Sequence, residues 1–263
     1  MKKAKKKIPK QIYFLCAMPR SGNTLFASLM NQNPELVVTP NSITLSIMTA
    51  LYFLKDSLVF QNWPDEQSLD NVMDQVYNLY YKHWNYKAII DRGPICTSGN
   101  LEVMQKHFKQ PIRCIVLLRD VLDILASYIK WFENEPTSFL NNYKTLDEKL
   151  DHIVLNGGAV KKGLMSIQYL LHHPKMAVFI KYDNLVNNPE KELRKVYKFL
   201  NLPYYPHTFT NLNQVVVNDM PYDDSVIGKN MHTIRTEKIM KVENEYKHKI
   251  PEKFVEEYGH ITF

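Results

Sequence analysis

Hydrophobic residues along the chain fall into short continuous runs that alternate with longer stretches of mixed apolar and polar residues. The runs are rich in Val, Ile, Leu and Phe without polar alternation, a pattern typical of strands covered on both faces. They predict strands at residues 11–17, 36–39, 86–91, 112–118 and 176–181. The stretches between them predict helices at residues 23–31, 42–55, 65–84, 101–108, 120–133, 146–171 and 189–200. This alternation indicates an α/β fold, a three-layer sandwich around a central, mainly parallel sheet of about five strands.

The two ends of the chain depart from this alternation. Six lysines lie among the first ten residues, which predicts a disordered basic leader over residues 1–10 and a single domain over residues 11–263. After residue 203 the pattern weakens into an Asn- and Tyr-rich stretch, and a final helix is predicted at residues 237–247. Residues 211–230 fit either a lid over a site or a surface loop, and the sequence leaves both open.

Composition and charge narrow the class of protein. The chain has 263 residues and is 45% hydrophobic, which is enough for a sizeable core. Its 33 Lys and Arg against 27 Asp and Glu give a net charge of +6, and the lysines of the leader supply that excess. The body is therefore nearly neutral, and no nucleic-acid partner is expected. The longest apolar stretch, residues 43–54, is too short to span a bilayer, so we expect a soluble cytoplasmic protein without a transmembrane segment.

The three cysteines carry no metal-binding pattern. Cys16, Cys96 and Cys114 lie in or near apolar runs, with no C-x-x-C spacing and no close histidine. This predicts buried thiols in a reducing compartment rather than a disulfide framework or a zinc site. No cluster of His, Asp or Glu has metal-ligand spacing either, so no metal site is predicted.

The loop after the first strand is the first candidate site. Residues 18–25 read M-P-R-S-G-N-T-L and lead straight into a predicted helix. A tight turn with Gly22 at one position, followed by a helix N-terminus, presents free backbone N–H groups to an anion. Arg20 adds a planar cation, and Ser21 and Thr24 add hydroxyl donors, so the loop is a candidate cradle for phosphate or sulfate. The plainer alternative is an ordinary strand–helix turn with Arg20 on the surface.

Two further features bear on the ligand of this loop. The chain has six arginines, and Arg20, Arg92 and Arg119 fall at predicted strand ends, which favours bidentate anion binding. The loop also approaches the P-loop pattern G-x-x-x-x-G-K-[ST], but Ala17 replaces the first glycine and Asn23 replaces the lysine. Without that lysine the loop lacks the charge that spans the β- and γ-phosphates of a triphosphate. We therefore expect a nucleotide with a shorter anionic chain.

A second motif follows the fourth predicted strand. Residues 119–128 read R-D-V-L-D-I-L-A-S-Y, with Arg119 at the strand end, Asp120 placed to cap the next helix and Ser127 about two turns further on. Together with P-R-S-G-N-T at residues 19–24, this R-D-x-x-D-x-x-x-S segment resembles the sulfotransferase family. A third segment, K-Y-D-N-L-V-N-N-P at residues 181–189 with F-L-N-L-P at 199–203, is similar to the family's Y-E-D-L turn and following helix. The three motifs keep the family's order over residues 11–203 and are closest to bacterial and Golgi-type members.

The resemblance implies a P-loop-like nucleotide-binding topology with 3′-phosphoadenosine 5′-phosphosulfate as co-substrate. Arg119 and Ser127 would hold its 3′-phosphate. The 5′-phosphosulfate would be held by the first motif: Arg20, Ser21, Gly22, Asn23 and Thr24. Further candidate donor contacts lie in the third segment and in a later basic loop: Tyr182, Gly228, Lys229 and Arg235. The alternatives that stay open are a Ser127 that faces a neighbouring helix, a Tyr182 that belongs to the core, and a basic loop that is merely solvated.

The implied reaction is in-line transfer of a sulfuryl group to a hydroxyl or amine, with release of adenosine 3′,5′-bisphosphate and no required metal. Arg20 and the loop N–H groups would stabilise the charge on the leaving phosphate. The general base is missing from its expected place, since residues 39–42 read T-P-N-S where Golgi-type relatives carry a Glu. Asp91 is a candidate base and Arg92 a candidate for stabilising the transferring group, with a local ion pair as the alternative.

Three hypotheses of function result. The sequence favours a sulfotransferase. The second hypothesis is a nucleotide or small-molecule kinase with a degenerate P-loop, which would need ATP and Mg²⁺ and has its weakness at Asn23. The third is a non-catalytic nucleotide-binding relic, in line with the missing Glu. The acceptor stays open between a carbohydrate, a peptide tyrosine, a lipid head group and a small alcohol, and so does the oligomeric state.

Overall fold

A five-stranded parallel sheet forms the centre of the protein in the computed structural model, which describes residues 10–155, 157–241 and 245–263. The strands are β1 Gln11–Ala17, β2 Leu36–Val38, β3 Ala88–Arg92, β4 Cys114–Leu118 and β5 Ala177–Lys181. Their order across the sheet is β2-β3-β1-β4-β5, and every neighbouring pair runs parallel. The predicted α/β fold is confirmed, and each predicted strand is present with bounds within two residues.

Helices flank the sheet. They are α1 Asn23–Met30, α2 Thr44–Phe53, α3 Leu58–Asn62, α4 Glu66–Tyr80, α5 Ser98–His107, α6 Val121–Asn134, α7 Leu146–Val154, α8 Ala159–His172, α9 Tyr182–Asn187, α10 Pro189–Leu200 and α11 Glu252–Tyr258. The sequence pattern does not predict the short helices α3, α9 and α11, because five to seven residues are too few to show a helical period.

Burial on both faces explains why the strands lack polar alternation. Residues 12–16 of β1 and all of β4 are buried, as expected for strands that lie between helical layers. Helix α8 comes closest to the end of β1, where a Cβ on Gly163 would lie 2.8 Å from the Cα of Met18. Glycine at this position therefore lets α8 pack directly on the backbone that leads into the first candidate loop.

Two predicted helices are wrong. The stretch at residues 146–171 is two helices, α7 and α8, because Gly157 adopts a φ of 85° and a Cβ on Gly158 would collide with the carbonyl of Ile153. No helix covers residues 237–241, residues 242–244 lie outside the described residues, and Glu245–Lys249 is a 3₁₀ turn. The last helix, α11, begins after Pro251 instead.

The predicted basic leader lies outside the described residues except for Lys10. The ammonium group of Lys10 donates to the backbone carbonyls of Tyr81 and Trp84, just beyond the end of α4. This residue is therefore attached to the fold. Among the described residues, the helices are all too short or too polar to cross a membrane.

The strand order creates a switch point at the carboxyl end of β1. The chain passes from β1 to β2 and β3 on one side and then to β4 and β5 on the other. Leu15 lies opposite Arg92 of β3, and Ala17 lies opposite Leu117 of β4. The loop after β1 is therefore flanked by the ends of both neighbours, which is where ligands bind in open α/β sheets.

A long segment after α10 returns across this edge of the sheet. Residues 211–241, here called the covering loop, include the hairpin of β6 Val216–Val217 and β7 Met220–Pro221. The loop folds back on itself: Leu212 N–H donates to the carbonyl of Thr236 at 2.6 Å, and the Gln214 amide exchanges two hydrogen bonds with the backbone of Ile234. Its second arm, residues 222–241, lies over the switch point.

Candidate active site

A cavity of about 340 Å³ opens at the switch point. It is bounded by the loop after β1, the ends of β3 and β4, helix α6 and the second arm of the covering loop. The predicted site residues that line it are Arg20, Gly22, Asn23, Thr24, Arg92, Arg119, Ser127, Tyr182 and Arg235. Two motifs that are 99 positions apart in the chain thus meet around one cavity.

The cavity is strongly basic. Its lining includes six Lys and Arg side chains and, in the described part of the chain, no carboxylate. Three of the six come from the predicted strand ends, and the others are Lys130 of α6 and Arg235 and Lys238 of the covering loop. Such a surface favours a ligand that carries several negative charges.

The loop after β1 is a tight turn that leads into α1. Arg20 and Gly22 adopt left-handed conformations with φ of 63° and 90°, and Gly22 precedes α1 at the N-cap position without a side-chain cap. No side-chain cap therefore occupies the N–H groups of the first turn of α1, and these groups can donate to a ligand in the cavity. The Ser21 hydroxyl is buried and has no hydrogen-bond partner among the described residues, while Asn23 donates to the carbonyl of Met18 at 3.0 Å.

Arg119 connects the second motif to the first. Its Nη1 donates to the carbonyl of Arg20 at 2.6 Å, and its guanidinium lies over the Tyr182 ring, 4.3 Å from the ring centre. The side chain is buried, and its Nε–H has no partner among the described residues. A buried donor of this kind is costly unless a ligand satisfies it.

Arg20 reaches across the cavity to two other elements. Its Nε donates to Ser127 Oγ of α6 at 3.1 Å, and its Nη1 donates to the carbonyl of Met231 in the covering loop at 2.7 Å. Burial lowers the pKa of the Arg20 guanidinium, and the nearby positive charge of Arg119 lowers it further. Ser127 therefore faces the cavity and the first motif.

Tyr182 serves both motifs as a packing surface. It is buried at the start of α9, its ring supports Arg119, and a Cβ on Gly22 would lie 2.8 Å from its Cδ2. Glycine is required at position 22 on two grounds, the left-handed backbone and the ring beneath it. The aromatic residue is thus part of the core and part of the cavity wall.

Arg92 is fixed by the turn after β2 and by the covering loop. Its backbone N–H donates to Thr39 Oγ1 at 2.9 Å, and its Nη1 donates to the carbonyl of Pro40 at 3.0 Å and to the Tyr222 hydroxyl at 2.9 Å. The Tyr222 hydroxyl in turn donates to the Pro40 carbonyl. The turn at residues 39–42, which lacks the family's Glu, thus orients a cavity arginine.

Asp91 precedes Arg92 in β3 and does not line the cavity. Its carboxylate is 3% exposed and accepts a hydrogen bond from the Thr44 hydroxyl. Burial raises the pKa of the Asp91 carboxyl, although the hydroxyl donors around it oppose this shift. Asp91 is not among the residues that line the cavity, and it makes no ion pair with Arg92 among the described contacts.

The basic loop near the C-terminus contributes only in part. Gly228 is buried with a φ of 121°, and a Cβ there would lie 2.8 Å from the Trp131 ring. The Lys229 carbonyl accepts a hydrogen bond from Trp131 Nε1 at 3.0 Å. These two residues attach the covering loop to α6 and do not line the cavity, whereas Arg235 does.

Asp120 differs from its predicted role. It precedes α6 at the N-cap position, but its side chain makes no cap hydrogen bond. Its Oδ1 instead accepts from the backbone N–H of Phe263 at 3.2 Å. The carboxylate therefore ties the end of the chain to the second motif.

One residue that lines the cavity, His232, was not predicted from the sequence. His232 Nδ1 lies 2.6 Å from Asp224 Oδ1, and its backbone N–H donates to Asp224 Oδ2 at 2.8 Å. The ring stacks on Tyr222 with a centroid distance of 3.9 Å and an interplanar angle of 4°. Burial lowers the pKa of His232, the Asp224 carboxylate opposes this, and Arg92 and Arg20 add to the lowering. The eight-residue spacing of the pair gives no sequence signal, because only the path of the covering loop joins them.

The three cysteines are buried and free, as predicted, and they lie together in the core. Their Sγ atoms lie within 4.8 Å of one another, which is a geometry that could hold a soft metal ion. Sequence spacing does not indicate this cluster, since Cys16, Cys96 and Cys114 belong to three different segments. In the cavity itself the lining residues include no set of metal ligands.

The parallel sheet, the loop at its switch point and the basic cavity define an α/β protein with a P-loop-like fold. A sequence profile of the sulfotransferase family matches residues 13–206. The chain belongs to the sulfotransferase family and is an enzyme of that class.

Known proteins of the same kind support this assignment. A Caenorhabditis briggsae protein with the provisional name protein-tyrosine sulfotransferase is 22% identical over an alignment of 234 residues, and the match covers 85% of this chain and 78% of that protein. The sulfotransferase domain of the Synechococcus PCC 7002 olefin synthase superposes with a TM-score of 0.54 at 15% identity, covering 99% of this chain and 98% of the other. The sulfotransferase domain from the curacin biosynthetic pathway gives a TM-score of 0.53 at 15% identity, covering 98% and 100%. These two structures share the fold.

Proposed function

We propose that the enzyme transfers a sulfuryl group from 3′-phosphoadenosine 5′-phosphosulfate to a hydroxyl or amine and releases adenosine 3′,5′-bisphosphate. The observation that carries the proposal is the meeting of Arg20 and Arg119, from two strand ends, in one basic cavity whose described lining residues include no carboxylate. A donor that carries two anionic groups matches a cavity into which each of two motifs brings an arginine.

The residues divide between the two ends of the donor. Arg119, with its buried Nε–H, and Ser127 are placed to bind the 3′-phosphate. The loop of Arg20, Ser21, Gly22, Asn23 and Thr24 would bind the 5′-phosphosulfate through its backbone N–H groups. The Ser21 side chain is fully buried and does not line the cavity, so it supports the loop from behind the site. Tyr182 holds Arg119 in place, and Arg235 is a further donor contact on the covering loop.

The chemistry needs stabilisation of negative charge more than it needs covalent help. When the sulfuryl group leaves the donor, charge builds on the bridging oxygen of the 5′-phosphate. Arg20 and the N–H groups at the start of α1 are oriented before the reaction begins, so they stabilise this charge without reorganising. Arg92, which two hydrogen bonds hold in the cavity wall, is placed to stabilise the transferring group.

The position of Asn23 weighs against the kinase hypothesis. This residue stands where a P-loop carries its phosphate-binding lysine, but its amide donates to the carbonyl of Met18. It therefore closes the loop on itself and supplies no charge for a triphosphate.

Thermal melting tests the donor. We expect adenosine 3′,5′-bisphosphate to raise the melting temperature, since a ligand at about 100 times its dissociation constant adds about 2.7 kcal/mol. AMP and ATP with Mg²⁺ are the ligand controls. A shift with ATP and Mg²⁺ alone would replace the proposal by a kinase, and binding of the bisphosphate without any turnover would favour the relic.

Turnover is then measured with ³⁵S-labelled donor and one acceptor from each chemical class. The set contains a tyrosine peptide flanked by acidic residues, 4-nitrophenol, glucosamine and a primary alkyl alcohol. The tyrosine peptide is included because of the provisional name of the Caenorhabditis briggsae relative. Labelled product with one of the four would establish transfer and give the acceptor class.

A further inference from the structure

The sulfotransferase reaction needs a group that takes a proton from the acceptor, and the two places that the sequence offered do not supply one. The turn at residues 39–42 has no carboxylate. Asp91 is buried against Thr44 and does not line the cavity. Among the lining residues, the side chain that can accept a proton near neutral pH is His232.

His232 has the arrangement of a base with an orienting partner. Asp224 can only accept through its carboxylate, so the 2.6 Å contact places the proton of the neutral imidazole on Nδ1. The lone pair then lies on Nε2, which makes no hydrogen bond among the described residues. Asp224 also binds the backbone N–H of His232, and the Tyr222 ring stacks on the imidazole, so the ring is held at three points.

The surroundings of the ring keep it neutral. Arg20 and Arg92 act on it from the loop after β1 and from β3, Asp224 acts from the covering loop, and Tyr222 covers one face. The other charged groups of the same cavity are Arg119, Lys130, Arg235 and Lys238. Burial and the two nearby arginines lower the pKa of His232 and outweigh the opposing carboxylate. A histidine that stays neutral at pH 7 can accept a proton.

We infer that His232 is the general base of the reaction and that Asp224 is its positioning residue, an inference that rests on the proposed sulfuryl transfer. The acceptor oxygen or nitrogen forms a bond to sulfur while the bond from sulfur to the bridging phosphate oxygen breaks. The bridging oxygen keeps that electron pair and leaves on adenosine 3′,5′-bisphosphate. The acceptor proton passes to Nε2 of His232, and the imidazolium later releases it to water.

Arg20 links the proposed stabilisation of the leaving phosphate to the segment that carries the proposed base. Its Nη1 is bonded to the carbonyl of Met231, the residue just before His232. The group that stabilises the leaving phosphate is thus attached to the segment that carries the base. His232 therefore lies in the cavity wall beside the residue that Arg20 contacts.

The test compares His232→Ala and His232→Gln with His152→Gln as the matched control. His152 also pairs through Nδ1, with the Tyr143 hydroxyl at 2.6 Å, but it lies on α7 and outside the cavity. We expect both His232 variants to lower kcat by about 10²- to 10⁴-fold, with affinity for adenosine 3′,5′-bisphosphate changed less than threefold. Added imidazole should restore part of the activity of His232→Ala.

The pH profile gives a readout that a merely structural role would not move. Wild-type kcat should fall as pH drops and Nε2 becomes protonated, with a midpoint below the ordinary histidine value of about 6.5. His232→Gln should lack this limb. A kcat within threefold of wild type in both variants, or a limb that persists in His232→Gln, would overturn the assignment of the base while the transferase function stands.

A measurement that needs no acceptor separates the two proposals. In protein labelled with ¹³C-histidine, the resonance lost in His232→Gln is followed during titration with adenosine 3′,5′-bisphosphate. A shift at saturation, with wild-type affinity in His152→Gln, supports the position of His232 beside the donor. A bound nucleotide that leaves this resonance unmoved would overturn the inference, whereas no binding of the bisphosphate would overturn the proposed function itself.

Discussion

Replacing Arg119 by methionine separates its role as a ligand from its role in packing. In the fold, Nη1 is committed to the carbonyl of Arg20 and the guanidinium stacks on Tyr182, while the buried Nε–H has no partner among the described residues. Methionine retains an apolar stem over the Tyr182 ring and removes the charge and all five donors. Arg119→Met therefore tests whether those donors bind a 3′-phosphate.

The expected magnitude comes from the hydrogen bonds that are lost. A hydrogen bond to a charged group contributes about 1.5–3 kcal/mol, and each 1.4 kcal/mol is tenfold in affinity. Calorimetric titration should therefore show adenosine 3′,5′-bisphosphate binding about 10- to 150-fold more weakly to Arg119→Met. AMP, which lacks the 3′-phosphate, should lose less than about threefold.

Arg113→Met is the matched control for this variant. Arg113 lies at the opposite end of β4, where its Nη1 donates to the carbonyl of Phe199 at 3.3 Å, and it does not line the cavity. Its loss should leave the affinity for the bisphosphate unchanged. Equal losses for AMP and the bisphosphate in Arg119→Met would mean that Arg119 acts only through the carbonyl of Arg20. That result, or an unchanged affinity for the bisphosphate, would refute the assignment of the 3′-phosphate site.

Three further variants test the geometry of the fold around the site. Gly22→Ala should lower the free energy of unfolding by at least about 1–2 kcal/mol in urea titration, because φ is 90° and the new Cβ would lie 2.8 Å from the Tyr182 ring; an unchanged midpoint would contradict the conformation of the loop. Gly163→Ala should cost about 1–3 kcal/mol by forcing α8 off the end of β1, whereas Gly99→Ala, which meets nothing within 4 Å, should cost nothing. Asp91→Asn should gain stability relative to wild type between pH 4 and pH 7, because burial raises the pKa of this carboxyl and its ionised form destabilises the fold as pH rises through that pKa. A difference between Asp91→Asn and wild type that stays flat over this range would show that the carboxyl is not destabilised by burial.

The sheet could be predicted because its signal is local. Each strand is a continuous apolar run, and burial on both faces, as in β4, forbids the polar alternation that would confuse it with a surface strand. The break between α7 and α8 was not predicted from the hydrophobic period, although the Gly157-Gly158 pair that causes it is a turn signal in the sequence. One of the two residues turns left-handed, and the other has no room for a Cβ.

The candidate site likewise contains residues that could be predicted from the sequence and one, His232, that could not. The residues of the first loop and Arg119 follow directly after predicted strands, and Ser127 lies on the helix that comes next, so topology brings them to one edge of the sheet. The position of the covering loop is not determined by strand topology in this way. Its path depends on pairing between its own arms, such as Leu212 with Thr236, and the position of His232 follows from that path. The sequence therefore indicated the residues that we propose to bind the donor, but it did not indicate His232.

The contacts of the two arginines explain why the motifs have meaning only as a pair. Arg119 of the second motif donates to the carbonyl of Arg20, and Arg20 of the first motif donates to the Ser127 hydroxyl. Each motif therefore fixes a residue of the other. The left-handed backbone of Arg20, which costs about 1–2 kcal/mol for a residue with a Cβ, is stabilised by that contact with its carbonyl. A P-R-S-G loop without the second motif would lack this support and would relax toward an ordinary turn. The same guanidinium also holds the carbonyl of Met231, so loss of Arg20 would remove contacts to α6 and to the segment next to His232 together.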